Sequence, residues 1–115
     1  MELVQRAMET TGIPTFANAW KPTDAHPTAP DTYIVYNTMT LESEHWDDGN
    51  RRFKIFVYLN LWTKADPTEA IARIRSAMRT AGFALSQELD SYDDDTGYTL
   101  VACTWVIQVV DEDGT

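Results

Sequence analysis

Apolar residues recur along this chain with two different periods, and each period predicts a kind of secondary structure. In residues 2–11 and 66–81 the apolar positions return every three or four residues, which is the spacing of an amphipathic helix. Gly12 and Gly82 follow these two segments directly, as is typical of residues that end a helix. The pattern therefore predicts one helix at the start of the chain and one past its middle.

The second predicted helix also has a recognisable start. Asp66 stands where an N-cap is expected, and Pro67 suits the first helical position because its missing N–H is not needed there. Glu69 lies at the spacing of a capping box, so we expect its carboxylate to reach back to the backbone of the cap.

Four further segments are rich in β-branched and aromatic residues, the composition of β-strands. Polar runs with Asp and Gly separate the first two and the last two, so each pair is predicted to form a hairpin. The second segment is apolar on both alternating faces, which predicts a central strand with both faces covered. The predicted strands are residues 32–41, 53–62, 83–92 and 97–110.

Residues 14–31 carry four of the five prolines of the chain and favour an ordered but irregular connection, with room for a short edge strand at residues 16–20. Consecutive strands around a single inner helix predict one α+β domain over residues 1–110. We expect a mostly antiparallel sheet of four or five strands with two helices packed on one face. Residues 111–115 are acidic and are predicted to form a disordered tail.

Charge limits the partners that this domain can have. Eighteen acidic residues against nine basic ones give a formal charge of −9, which argues against attraction to nucleic acid, since phosphate binding needs Lys and Arg. An acidic surface can still serve nucleic acid as the wall of a passage to which it does not stick. The common alternative is that the charge keeps the protein in solution.

The same composition predicts a cytoplasmic protein. Cys103 is the single cysteine, so no disulfide can form within the chain. No window approaches the roughly 18 to 20 apolar residues that a membrane-spanning helix needs, and residues 1–6 lack the pattern of a secretory signal.

Candidate catalytic groups are few. His45 with Asp47 and Asp48 could in principle hold a metal, but a polar hairpin tip lacks the rigid support that metal sites need, and a solvated loop is the preferred interpretation. The run at residues 93–95 lacks the alternating ligands of a calcium loop. Cys103 lies in an apolar strand and is expected to be buried and unreactive. We therefore predict no catalytic residue, no cofactor and no metal; the less favoured alternative is a small hydrolytic or ligand-binding domain that uses His45.

Other residues suit an interaction protein. A tryptophan at the tip of a polar loop contributes little to a monomer, and a basic cluster follows it closely, while an acidic turn stands elsewhere in the chain. Such complementary patches could meet head to tail between copies; alternatively, the tryptophan folds back and the charges are solvated. The candidate interaction residues are Trp46, Arg51, Arg52, Lys54, Asp93, Asp94 and Asp95.

The whole pattern resembles the small tail terminator, or tail-completion and head–tail joining, proteins of long-tailed phages and prophages. The likeness covers residues 2–110 and rests on the order of the elements. It includes residues 12–14 (Gly-Ile-Pro), 19–20 (Ala-Trp), 30–36 (a Pro-x-x-Tyr-Ile-Val-Tyr strand), 53–62 and 63–67 (Thr-Lys-Ala-Asp-Pro).

This resemblance implies a structural virion assembly protein and no enzyme. It implies a homo-oligomeric, hexameric ring that caps the tail tube, joins it to the head–tail connector protein and lets DNA pass without specific binding. It implies assembly in the host cytoplasm and a final place at the head–tail junction of the virion. The alternative is a small adaptor domain with another protein partner.

Overall fold

The computed structural model describes residues 2–20, 28–45 and 51–111. Along these residues α1 is followed by three strands and α2 by two, in the order that the apolar periods predict. The elements are α1 (Glu2–Glu9), β1 (Thr15–Ala17), β2 (Thr32–His45), β3 (Arg51–Thr63), α2 (Thr68–Thr80), β4 (Ala84–Tyr92) and β5 (Thr99–Asp111).

The strands form one sheet in the order β1-β2-β3-β5-β4. The β2–β3, β3–β5 and β5–β4 pairs are antiparallel, and the short edge strand β1 runs parallel to β2. Both helices pack on the same side of the sheet. The predicted α+β class, with a mostly antiparallel sheet and two helices on one face, is confirmed.

The core lies between the helices and the sheet. Alternate residues of the central strands point into it because successive side chains of a strand leave on opposite faces. Trp105 is fully buried among them, and Thr11 at the end of α1 is buried with its hydroxyl donating to the carbonyl of Met8. The core side chains from the sheet and the helices are Val4, Ala7, Met8, Ile34, Tyr36, Val57, Leu59, Leu61, Ile71, Ile74, Met78, Val101, Cys103 and Trp105.

The hairpin of β2 and β3 is longer than its side chains predict. β2 continues to His45 and β3 begins at Arg51, with a bulge between Glu42 and Glu44. Backbone pairing is indifferent to side-chain polarity, so the ladder extends through polar residues that composition assigns to a loop. β5 likewise runs to Asp111, one residue into the predicted tail.

The start of α2 differs by one position from the prediction. The carbonyl of Pro67 accepts the first helical bond, from the Ile71 N–H, at 2.8 Å, so Pro67 occupies the cap position. Asp66 Oδ1 accepts from the Thr68 N–H at 3.0 Å and from its hydroxyl at 2.7 Å, and these bonds lower the pKa of the Asp66 carboxyl. The capping-box role of Glu69 is wrong: its carboxylate pairs with Arg73 one turn later.

α2 ends as predicted, with Gly82 directly after its cap residue Ala81, whereas α1 ends at Glu9, two residues before the predicted Thr11, and the Gly12 N–H closes a tight turn by donating to the Glu9 carbonyl at 3.3 Å. Gly12 and Gly82 have φ of +74° and +98°, a backbone conformation that disfavours other residues. At the end of α2 the Phe83 N–H donates to the Met78 carbonyl at 2.9 Å and buries the Phe83 ring against the core.

One expectation about β3 is wrong. The strand is central, between β2 and β5, but only one of its faces is covered. Val57, Leu59 and Leu61 lie under the helices, whereas no helix or strand within the described ranges packs on the opposite face, and Tyr58 on that face keeps 39% of its surface exposed. The second apolar face of β3 is open.

Neighbouring residues of β3 test this asymmetry. We expect Leu59→Ala to lower the free energy of unfolding by about 2–5 kcal/mol, because it leaves a cavity in the core. The matched control Tyr58→Ala should cost about 1 kcal/mol or less, since the side chain is already partly in solvent. Urea unfolding followed by circular dichroism measures both. Equal losses would show that the second face is covered within the monomer.

Candidate interaction surface

The open face of the sheet is the side opposite the two helices. Strand register defines which residues belong to it, because cross-strand partners point to the same face. Tyr33 pairs with Trp62 and Met39 pairs with Phe56, and the partners of these β3 residues on β5, and of those on β4, share the face. Its described positions are Phe16, Tyr33, Val35, Asn37, Met39, Leu41, Arg52, Lys54, Phe56, Tyr58, Asn60, Trp62, Ala84, Gln87, Leu89, Ser91, Leu100, Ala102, Thr104, Val106 and Gln108.

Aromatic rings cover one end of the open face. Tyr33 stacks on Trp62 with a centroid separation of 6.4 Å, and Phe16 meets Tyr33 edge-on at 6.3 Å. Tyr98, from the loop before β5, packs edge-on against Tyr33 at 5.8 Å and donates its hydroxyl to the Pro30 carbonyl at 2.7 Å. Burial and the neighbouring Tyr98 raise the pKa of Tyr33. At this end the rings partly shield one another from water.

Towards the hairpin the open face is more exposed. Met39, Leu41 and Tyr58 keep 41%, 47% and 39% of their surface in solvent. Leu89, on the edge strand β4 at the level of Asn60, keeps 61%. Single exposed apolar side chains are common on protein surfaces, but a contiguous group of them is typical of a surface that another molecule covers.

The open face carries no carboxylate from the Tyr33–Trp62 pair to the Leu41–Lys54 pair. Lys54 is the charged residue of this part, and the next β3 position on the same face is Arg52, whose backbone lies opposite Glu44. The lack of carboxylates is unexpected in a chain with eighteen acidic residues and a net charge of −9. This part of the open face therefore carries no net negative charge.

A groove lies on the opposite side of the molecule, between α1 and α2. It has a volume of about 540 Å³, and Leu3, Ala7, Ala77 and Ala81 form its apolar part. Two arginines at its rim have carboxylate partners one turn away on their own helix, Arg6 with Glu2 and Arg73 with Glu69. We call this region the helix groove.

The predicted basic cluster lies at the start of β3. Trp46, together with Asp47 and Asp48 of the hypothetical metal cluster, lies outside the described residues. Register sets the backbone of Arg51 opposite Asp111 and that of Arg52 opposite Glu44, so acidic positions flank this cluster within the same sheet. Lys54 is exposed and belongs to the open face.

The predicted acidic turn lies between β4 and β5, at the other end of the sheet. Asp93 accepts bonds there from the Asp95 N–H and the Thr96 hydroxyl, both at 3.0 Å. The strand from Arg52 to Thr63, beside the turn, spans about 36 Å at about 3.3 Å per residue. The two charged groups are therefore not brought together within one chain. Their contact between copies stays a prediction.

Catalytic chemistry has little support in the described part of the chain. Cys103 is buried; its thiol donates to the Leu59 carbonyl at 3.4 Å and accepts from the Trp105 indole at 3.3 Å. Burial raises its pKa to about 11, so the nucleophilic thiolate is disfavoured. Among the described residues no three His, Cys, Asp or Glu side chains are grouped to hold a metal.

Residues 2–20, 28–45 and 51–111 contain no helix that meets the length and apolarity needed to cross a membrane.

Sequence reasoning did not identify this surface. Met39 and Leu41 share one face of β2 with Tyr33 and Val35, and that face is the open one. The sequence feature that could have revealed the open face is the apolar character of both faces of residues 53–62. Two helices that pack on one side of a sheet cannot cover both faces of its central strand.

The fold is shared with solved structures. One is a chain of the virion of a native gene transfer agent particle, with a TM-score of 0.64 and 11% identity over 94% of this chain and 92% of that chain. A second solved structure has a TM-score of 0.55 and 14% identity over 96% and 94% of the two chains. At these identities the likeness is one of fold. No protein-family model and no curated protein matches the sequence.

The buried thiol makes two measurable predictions. We expect the native chain to react with a thiol reagent such as DTNB at pH 8 far more slowly than the urea-unfolded chain, because the Cys103 thiol is buried and protonated. Since folding raises its pKa from 9.0 to about 11, the unfolded state loses this proton first, and stability is lost as pH rises from about 9 towards 11.

The control for the alkaline effect is Cys103→Ala. In this variant the stability of the folded state should no longer decline between about pH 9 and 10. Any decline in stability at higher pH should remain, because Tyr33 and Tyr36 also have raised pKa values. Rapid DTNB reaction of the native protein would contradict the assignment of Cys103 to the core.

Proposed function

We propose that this chain is a structural subunit of a phage-type particle, and specifically a tail terminator that forms a ring at the end of the tail tube. The observation that carries the proposal is the fold, which matches a chain of a gene transfer agent virion over 94% of this chain. The order of elements that resembles the tail-completion proteins supports the same assignment. The role is structural rather than enzymatic.

The open face supports an assembly role. A monomer gains nothing from a row of exposed Met, Leu and Tyr side chains, whereas a subunit of a larger particle buries such a row against its neighbours. The partners are further copies of the chain in a hexameric ring, the tail-tube protein and the head–tail connector protein.

The charge supports passage of DNA without specific binding. A ring of chains with a net charge of −9 each does not attract phosphates, because attraction depends on displacing counterions with Lys and Arg. The acidic turn at Asp93, Asp94 and Asp95 is exposed and adds to this repulsion. DNA would then cross the ring without being held.

The two charged groups predicted as interaction residues fit the same role. They lie at opposite ends of the sheet, with Arg51, Arg52 and Lys54 near the β2–β3 hairpin and the acidic turn beyond β4. Separate ends of one subunit can contact different neighbours, such as the tube on one side and the connector on the other. Assembly takes place in the host cytoplasm, and the mature position is the head–tail junction.

Mass and imaging test the ring. The chain is mixed with tail tubes, and the bound fraction is then released. We expect multi-angle light scattering to give this fraction a molar mass of about 79 kDa, which is six copies of the 13.1 kDa chain. Negative-stain images should show one ring at one tip of each tube. Added chain should also stop tubes from lengthening, because the ring occupies the growing end.

A DNA-binding assay accompanies this measurement. The chain should not shift duplex DNA at about 0.15 M salt, where screening extends over about 8 Å.

A chain that stays monomeric with tubes present and leaves their length unchanged would refute the terminator assignment. Binding to a different particle protein under those conditions would instead support the adaptor alternative.

A further inference from the structure

Two surfaces on opposite sides of this molecule lack net negative charge. The open face has no carboxylate from the Tyr33–Trp62 pair to the Leu41–Lys54 pair. At the helix groove Arg6 is neutralised by Glu2 and Arg73 by Glu69. Because each copy carries −9, two copies repel each other least where these two surfaces meet.

The two surfaces also differ in the size of their apolar side chains. The helix groove is about 540 Å³ in volume, and the small side chains of Ala7, Ala77 and Ala81 allow another chain to approach closely. The open face offers larger apolar side chains that reach solvent, with Met39 and Tyr58 41% and 39% exposed. A large side chain of one copy can therefore enter the groove of the next.

The open face is large enough for such a contact. Its four long strands at about 4.8 Å spacing, each contributing about eight residue steps of about 3.3 Å, give a footprint on the order of 500 Å². The side chains make the accessible area of this footprint larger than its flat projection. It therefore approaches the roughly 800 Å² that each partner buries in a standard interface.

We propose that the open face of one copy packs on the helix groove of a second copy. The occupant is a second copy because both surfaces belong to this chain, both lack net negative charge in an acidic molecule, and one offers large exposed apolar side chains where the other is a groove lined by small ones. The contact is head to tail, so each pair leaves one open face and one helix groove unoccupied, and further copies add until the ring closes. Closure into a ring rests on the proposed function; the pairwise contact does not.

Cysteine cross-linking tests which surfaces meet. Tyr58→Cys places a thiol on the open face, and Ser76→Cys places one at the exposed edge of the helix groove. Cys103 stays in place because it is buried, so the wild-type chain is the background control. After mild oxidation at high protein concentration, we expect a mixture of the two single variants to give dimers and the double variant to give a ladder of higher species.

The same experiment distinguishes a face-to-face pair. If Tyr58→Cys alone dimerises as efficiently as the mixture, the open faces meet each other and the head-to-tail contact is wrong. Absence of cross-links in the mixture above the wild-type background, including with tail tubes present, also overturns it.

A charge variant provides an independent measurement. Met39→Glu places a carboxylate in the apolar contact and should weaken self-association, measured by sedimentation, about tenfold or more. Thr40→Glu is the matched control: it adds the same charge at the next residue of β2, which is exposed on the other face. Thr40→Glu should change the association constant by less than about threefold, a loss of under 1 kcal/mol. Equal losses for the two variants would show that net charge, and not the open face, controls association.

Failure of this contact and failure of the terminator role give different results. Rings on tail tubes without the mixed cross-link would leave the function standing and refute the head-to-tail contact. Mixed cross-links without rings or an effect on tube length would confirm the contact and refute the function.

Discussion

The alternation of side chains along β3 is the constraint on which this structure depends. Val57, Leu59 and Leu61 face the helices, and the residues between them must face the other way because a strand has a period of two. The alternate residues on that other face include Phe56, Tyr58 and Trp62, which are large and aromatic, together with Asn60. Both helices lie on one side of the sheet, so the described elements cover one face and leave the other open.

The open face is not uniformly exposed. Near β1 the rings of Phe16, Tyr33, Trp62 and Tyr98 pack against one another, and the hydroxyl of Tyr98 anchors its loop to the Pro30 carbonyl. These contacts bury part of the apolar surface without any partner. Towards the hairpin, no comparable cluster of rings among the described residues shields Met39 and Leu41. The open face therefore stays more exposed near the hairpin than near β1.

Charge is unevenly distributed over the molecule. No carboxylate lies on the open face from the Tyr33–Trp62 pair to the Leu41–Lys54 pair, while the turn between β4 and β5 concentrates three of them. Helix arginines pair within their own helix or, in the case of Arg75 with Glu88, with β4, so few of them add positive charge. If copies of the chain associate as proposed, the part of the open face without carboxylates is where they repel each other least.

Most elements could be predicted from local sequence, because local chemistry sets them. Gly12 and Gly82 end the helices since they adopt positive φ, and Asp66 satisfies the first turn of α2 although Pro67 takes the cap position. The boundaries of β2 and β3 could not be predicted, because backbone pairing across a hairpin continues through polar residues.

The candidate interaction residues could likewise be predicted only in part. Composition identified the charged residues, and Lys54 and the acidic turn at Asp93 are exposed in the structure. Their separation by about 36 Å depends on strand register, which links residues far apart in the chain. The amino-acid sequence by itself determined that β2 and β3 each have an apolar face beyond the one that the core uses. Only the tertiary structure decided that this face stays open, because the side of a sheet on which two helices pack depends on how the chain crosses it, and no local pattern encodes that crossing.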